Sequence, residues 1–465
     1  MQKLSKLILL LLLFSFAKST RSHADAAPNI LLIISDDQRY DQLDYMPKTK
    51  ELIFSRGLNF SKAYVTTPSC CPSRSSIFTG NYTSKHAVKG NRYVLNQRTV
   101  SEILKQNGYF TGLVGKFLNT SNGFPATGFD YWIGFKGGSA LYNDPVLNVQ
   151  GQFRQVFGYI TDILKDYVLE FINQSSLSEK PFFLVFSPNA PHWPAIPAVQ
   201  DKTLYSNLPP FRPASYDEAD KSDKPAWVRK IPLTPTHIKE QTDLLRIAKL
   251  RTLASLDRSI EEIIQTLQSK NLLANTLVIF ISDNGVMLLE HGLRDKDTPY
   301  EEAIHVPFAI RYDPIISTPR IASDLVANID ITPTILDIAG ITIPGSIDGK
   351  SLKEVMQGGS LLRNEILLES WRTKGEDGGS ELRIPFAAIH TGFYKYIRNK
   401  RELSELYDLN NDPFELNNLV KNSDYKVIKE DLSKRLKALL KSVRNSTSFS
   451  KPKGEKLPDG KFHVY

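Results

Sequence analysis

The chain has 465 residues, 41% of them hydrophobic and 23% charged, with a formal net charge of +8. That is a globular balance, with length for a large core and a second, smaller domain. The two cysteines, Cys70 and Cys71, are adjacent, which excludes a disulfide framework, and the lack of a long basic run speaks against a nucleic-acid partner.

At the N-terminus, Lys3 and Lys6 precede an apolar run over 7–17, and Ala17 and Ser19 frame a cleavage site. The run is short for a membrane span, so residues 1–19 read as a secretory signal peptide, with an uncleaved anchor as the alternative. No second span follows, which predicts a secreted, periplasmic or lysosomal protein. Removing Lys3, Lys6 and Lys18 takes the charge from +8 to +5. A modest positive balance suits an anionic substrate, although solubility explains it nearly as well. Glycosylation sequons stand at Asn59, Asn81, Asn119, Asn173 and Asn445.

Residues 29–34 (NILLII) form a continuous apolar run, the mark of a strand buried on both faces of a parallel sheet, and end in Ser35-Asp36-Asp37. Ligand sites of open α/β sheets lie beyond such strand ends. Asp36 alone fits a helix cap as well as a metal ligand.

The stretch 67–80 (TPSCCPSRSSIFTG) reads as a loop entering a helix, with Pro72 in the first turn and Gly80 at the stop. Cys70 is placed just before the helix N-terminus, where free N–H groups and the dipole favour negative charge, and Arg74 adds a cation one turn on. Two inert buried thiols are the plain alternative. A Cys-Cys pair could also bind metal, but a zinc site needs four ligands and no further cysteine exists.

Residues 109–114 (YFTGLV) and 181–187 (PFFLVFS) are two more strands. The first delivers Gly115-Lys116, and the second delivers His192 between Pro191 and Trp193-Pro194, placed to bind an anion or transfer a proton. The proline-rich, charged stretch 207–237 is a long surface excursion. There Trp227 and Arg229 either wall a saccharide site or simply dock the loop. A helix follows, with Ile247, Leu250, Leu253, Leu256, Ile260, Ile263 and Leu267 on one stripe. Residues 277–281 (LVIFI) repeat the buried-strand pattern and end in Ser282-Asp283-Asn284. If the two strands are parallel neighbours, Asp36, Asp37, Asp283 and Asn284 meet as a hard-oxygen set for calcium or magnesium. Beyond 359 the character changes to short strand-like segments at 365–371, 386–390 and 394–398, then a helix over 427–443. Segments 26–358 and 359–465 therefore read as a large domain and a small one. The small one is predicted as an antiparallel sheet covered by a helix.

Cys70-Cys71-Pro72-Ser73-Arg74 with Thr79-Gly80 resembles the signature of the type I sulfatases. Gly115-Lys116, His192, Lys296 with Tyr300-Glu301 and Val306-Pro307, the segment 328–340 (NIDITPTILDIAG), and Glu405-Leu406-Tyr407-Asp408-Leu409 extend the resemblance over about 28–419. Cys-Cys-Pro-Ser-Arg, Gly-Lys-x-Leu-Asn and Lys85-His86-Ala87-Val88…Asn91 are most similar to the N-acetylglucosamine-6-sulfatases and heparan 6-O-sulfatases. Leu118 departs from the histidine that many members carry there.

The resemblance implies an α/β, alkaline-phosphatase-like large domain with a mostly parallel sheet between helices, plus the smaller C-terminal α+β unit. It implies that a formylglycine-generating enzyme oxidises Cys70 to an aldehyde, hydrated at rest. One hydroxyl attacks sulfur and the second lets the adduct collapse. Asp36, Asp37, Asp283 and Asn284 with residue 70 would hold one calcium. Arg74, Lys116, His192 and Lys296 would serve catalysis, and Lys116, His192, Lys296, His86, Asn91 and His291 would contact substrate. The expected substrate is a sulfated saccharide, 6-O-sulfated N-acetylglucosamine or a related glycosaminoglycan. A broad arylsulfatase, a phosphoester hydrolase of the same fold and a non-enzymatic saccharide-binding relative are the rivals.

Overall fold

The computed structural model describes residues 27–371 and 384–445. The expected signal peptide, 1–19, lies outside them.

The sequence runs that are apolar at every position become the middle of a large sheet. β1 (Asn29–Ser35) lies in chain order before β2 (Leu58–Tyr64), β3 (Phe110–Gly115) and β4 (Tyr131–Gly134). The hairpin β5 (Val146–Val149) and β6 (Gln152–Gln155) comes next, then β7 (Phe182–Ser187) and β8 (Thr276–Ser282). A two-stranded ribbon of β9 (Met287–Leu288) and β10 (Arg294–Asp295) precedes β11 (Phe308–Arg311) and β12 (Arg320–Ala327). The ten-stranded order is β12-β2-β11-β8-β1-β7-β3-β4-β5-β6. From β8 to β4 every pairing is parallel, while β11 and β5 run against their neighbours.

Alternate residues of the central strands feed two cores. Ile30, Leu32 and Ile34 of β1 face the helix Cys70–Thr79 and the helix Ile331–Ile338. Leu31 and Ile33 face the helices Ile160–Ser175 and Thr236–Ser269. Each fully buried aliphatic side chain contributes about 1.5–3 kcal/mol, which is why strands covered on both faces read as unbroken apolar runs. A second sheet, β13 (Ile366–Ser370), β14 (Phe386–His390), β15 (Tyr394–Asn399) and β16 (Glu405–Asp408), is antiparallel throughout. Its residues Ile366, Leu368 and Leu406 belong to the first core, beside Leu432 and Leu436 of the closing helix Lys426–Asn445.

One boundary differs from expectation. The helix after the Thr67 loop begins at Cys70 itself, so Cys70 is its first residue. Ser69, extended at φ −155°, supplies the cap position, and its carbonyl accepts the first helical bond from Ser73 N–H at 2.9 Å. Pro72 is tolerated because its missing N–H falls among the first-turn groups that have no helical partner. Gly80 closes the helix at φ +69°, a left-handed conformation that favours glycine.

Candidate active site

Strand register assembles the site. β1 pairs with β8 from Asn29↔Thr276 to Ser35↔Ser282, so the next residues on each, Asp36-Asp37 and Asp283-Asn284, emerge side by side. Asp283 N–H donates to the Ser35 carbonyl at 3.0 Å, and Asp37 N–H donates to Asp283 Oδ1 at 3.1 Å. Asn284 Nδ2 donates to Asp37 Oδ1 at 2.6 Å, leaving Asn284 Oδ1 buried with no protein partner.

Cations close around these acids. Arg74, fully buried, donates from Nε to Asp283 Oδ2 at 2.7 Å. Its Nη1 donates to the Lys116 carbonyl at 3.1 Å and to Ser187 Oγ at 2.7 Å, while Nη2 is buried without a partner. Lys116 Nζ reaches Asp36 Oδ2 at 2.7 Å. Lys296 Nζ pairs with Asp37 Oδ1 and donates to Cys70 Sγ at 2.8 Å. The thiol itself lies 3.7 Å from Asp36 Oδ1 and 3.9 Å from Asp37 Oδ1. His192 Nε2 is 3.7 Å from Asp37 Oδ2, and its Nδ1 bonds the Trp193 carbonyl at 2.6 Å, which places the proton on Nδ1.

Burial and charge set the protonation. Burial pushes the Asp36 and Asp37 carboxyls up, yet Lys116 beside Asp36 and Lys296 beside Asp37, with His192, hold both below the usual range. Burial disfavours charge on Lys116 and Lys296, but Asp36 and Asp37 keep both ammonium groups protonated. For Asp283, burial and the neighbouring Asp36 prevail over Arg74 and raise it. Burial also raises the Cys70 thiol against the pull of Lys116 and Lys296, so the unmodified sulfur is no thiolate nucleophile.

The donor set fits a hard divalent cation. Ligand atoms of Asp36, Asp37, Cys70 and His192 lie within 4.8 Å of one another. Asp283 and Asn284 adjoin Asp37 through hydrogen bonds and Asn284 Oδ1 is buried without a partner, and carboxylate and amide oxygens of this kind suit calcium or magnesium.

Other expected contacts fall elsewhere. His86 is buried behind the helix: Nδ1 accepts Val88 N–H at 3.1 Å and Nε2 meets Ser76 Oγ at 3.1 Å. With both ring nitrogens engaged and burial lowering its pKa to about 3, it is a neutral packing residue, not a sugar contact. Asn91 Oδ1 accepts Cys71 N–H at 3.1 Å and so braces the helix start. His291 bonds Glu218 at 2.6 Å and lies on the Tyr300 ring at 4.4 Å between centroids. Trp227 is buried and packs toward Tyr300, while Arg229 bonds the Lys224 carbonyl at 3.5 Å, so the 207–237 excursion is docked there. Leu118 is buried against Cys71 and Val88, an apolar setting that explains why no polar side chain stands there.

Sequence reading missed two residues. Ser187 holds Arg74, and its signal was a serine closing a buried strand, as Ser35 and Ser282 also do. Lys249 is buried on the core-facing stripe of the Thr236–Ser269 helix, with Leu253, Leu256 and Ile260, and donates to the Pro191 carbonyl at 2.8 Å. A lysine at that spacing was the sign.

A family model described as sulfatase matches residues 28–341, and one described as N-sulphoglucosamine sulphohydrolase, C-terminal, matches 289–442. The extracellular sulfatase SULF-1 homolog of Drosophila melanogaster is 34% identical over 378 residues, 77% of this chain. The alignment spans only 33% of that relative's length. The N-acetylglucosamine-6-sulfatase of Capra hircus is 31% identical, with 85% of this chain and 80% of the relative covered. Among solved structures, one described as in complex with its substrate D-glucosamine-2-N,6-O-disulfate superposes with a TM-score of 0.78 at 24% identity. It covers 92% of this chain and 100% of the other, a likeness of fold.

Proposed function

The chain belongs to the sulfatase family, and on that premise we propose that it hydrolyses the 6-O-sulfate ester of N-acetylglucosamine or a related glycosaminoglycan sugar. The observation that supports it most is the convergence on Cys70 of two carboxylates, a lysine and a helix N-terminus, with Arg74, Lys116 and His192 around them. The sugar assignment draws on the N-acetylglucosamine-6-sulfatases to which the chain is similar.

A formylglycine made from Cys70 by a maturation enzyme would supply a hydrated aldehyde as nucleophile, a chemistry that the raised thiol lacks. Asp36, Asp37, Asp283 and Asn284, with residue 70, would hold a calcium, which would supply positive charge at the ester oxygens. The chain's own groups do the rest. The free Nη2 of Arg74 and the ammonium groups of Lys116 and Lys296 neutralise oxyanion charge as it spreads from sulfur. They are fixed beforehand by Asp283, Asp36 and Asp37, so little reorganisation accompanies reaction. The leaving group is an alkoxide and needs a proton. Lys116 and Lys296, kept protonated beside Asp36 and Asp37, hold such a proton, whereas His192, with Nδ1–H tied to the Trp193 carbonyl and burial lowering its pKa, presents an unprotonated Nε2. Burial of nearly every polar group in the cluster strengthens each of these interactions.

An N-terminal leader and a secreted or lysosomal destination belong to the same proposal. Its test is a comparison of sulfate release from N-acetylglucosamine 6-sulfate with release from the 3-sulfated sugar and a plain aryl sulfate. Preference for the 6-ester is the expected result. Turnover of the aryl ester alone would discard the sugar while keeping the chemistry.

A further inference from the structure

Among the side chains of the reactive cluster, His192 is the most exposed. Cys70, Arg74, Lys116, Asp283 and Asn284 are buried, and Asp37 and Lys296 nearly so, whereas the His192 side chain keeps 22% of its surface exposed. The next residue, Trp193, is 61% exposed.

An open tryptophan on a loose loop would mean little, but this loop is fastened along its length. Asn189 Nδ2 donates to the Ala140 carbonyl at 2.7 Å, and the Ala190 carbonyl accepts Asp36 N–H at 3.1 Å. The Pro191 carbonyl accepts Lys249 Nζ at 2.8 Å, and the His192 carbonyl accepts the Tyr142 hydroxyl at 2.8 Å. The Trp193 carbonyl is taken by His192 Nδ1–H. The backbone therefore has a fixed position relative to the carboxylates, and the residue next to His192 carries an indole with little protein covering it. Nearby, Leu141 next to Tyr142 is 49% exposed and Ile196 is 42% exposed. Exposed apolar side chains thus lie on the segments that hold His192.

We propose that Trp193 is the platform on which the pyranose ring of the substrate stacks while its ester enters past His192. This rests on the sulfate-ester reading above. A pyranose carries its hydroxyls at the ring edge and presents C–H groups on its faces. Those C–H groups match the negative face of an indole, and stacking removes both apolar surfaces from water. Successive Cα atoms are about 3.8 Å apart, so the indole is anchored within one sugar ring of the His192 backbone. An ester on an exocyclic carbon lets the ring rest on the indole while the sulfate goes inside.

Calorimetric titration of N-acetylglucosamine 6-sulfate into Cys70→Ala tests this without turnover, beside the same protein carrying Trp193→Ala or Trp193→Phe. Trp193→Ala is expected to weaken sugar binding by about tenfold or more, with Trp193→Phe recovering most of it. Inorganic sulfate should bind all three alike, and their melting temperatures should agree. Equal sugar affinity with and without the indole overturns the platform. So does a parallel loss of inorganic sulfate binding, which would make Trp193 a support for His192 or a contact for another macromolecule. No measurable sugar binding to the parent also overturns it. Sulfate release by the protein with Cys70 and Trp193 intact then decides separately whether the sulfate-ester reading stands.

Discussion

Arg74 is held at three points, by Asp283, the Lys116 carbonyl and Ser187, and keeps one buried N–H pair free. A lysine has a single ammonium at the end of a flexible stem and cannot reproduce that planar fork. Arg74→Lys should lower kcat/KM by about 10²–10³, in the range of losing a preorganised charge-stabilising donor, as steady-state sulfate release will measure. His86 yields a prediction about pH. Its folded pKa, about 3, lies below the ordinary histidine value because burial disfavours the imidazolium. A depressed folded pKa contributes stability that is complete above the unfolded value and is lost as pH falls toward the folded one. Between pH 7 and pH 5 the protein should therefore lose about 2 kcal/mol more unfolding free energy than His86→Gln does. Urea denaturation at the two pH values checks the difference.

At the scale of elements, the close approach of β3 to β7 sets where Lys116 stands. A Cβ on Gly115 would lie 2.0 Å from the Ser187 carbonyl oxygen, at a backbone φ of +113°. Gly115→Ala must move one strand, so it should lower the melting temperature by several degrees and cost activity beyond that loss of stability. Calorimetry and turnover on one preparation separate the two. The strands that position the site were legible because burial on both faces leaves an unbroken apolar run, as in 29–34 and 277–281. The edges were not. Residues Gln152–Gln155 are all exposed and show no apolar period, and Phe308–Arg311 is too short to announce an antiparallel strand inserted between β8 and β2. Asp36, Asp37, Asp283 and Asn284 could be read as neighbours because matching strand ends implied matching register. His86 could not be read as packing, since its partners Ser76 and Val88 depend on how a short helix folds back.

The whole molecule ties its second sheet to the site rather than hanging it from a linker. Tyr300, four residues beyond Lys296, donates its hydroxyl to Glu405 at 2.8 Å. Glu301 N–H donates to Glu415 at 2.9 Å, and the Glu301 carboxylate meets Lys395 at 2.9 Å and His390 at 3.1 Å. Burial raises the Glu415 carboxyl to about 7 in this network, although Lys395 opposes it. With Ile366, Leu368 and Leu406 in the same core as β1, a chain cut after residue 358 would expose a broad apolar face. The 1–358 piece is expected to be insoluble or molten when made alone, and to recover when the remainder is co-expressed. Circular dichroism and solubility decide it.

The central claim is that residue 70 performs the chemistry. Its most direct test is sulfate release from N-acetylglucosamine 6-sulfate by protein made in a formylglycine-producing host, beside Cys70→Ala from the same host. The account predicts steady release by the first, none above background by the second, and equal melting temperatures. Turnover retained in Cys70→Ala would contradict it. So would an inert protein whose peptide mass shows residue 70 fully converted to the aldehyde.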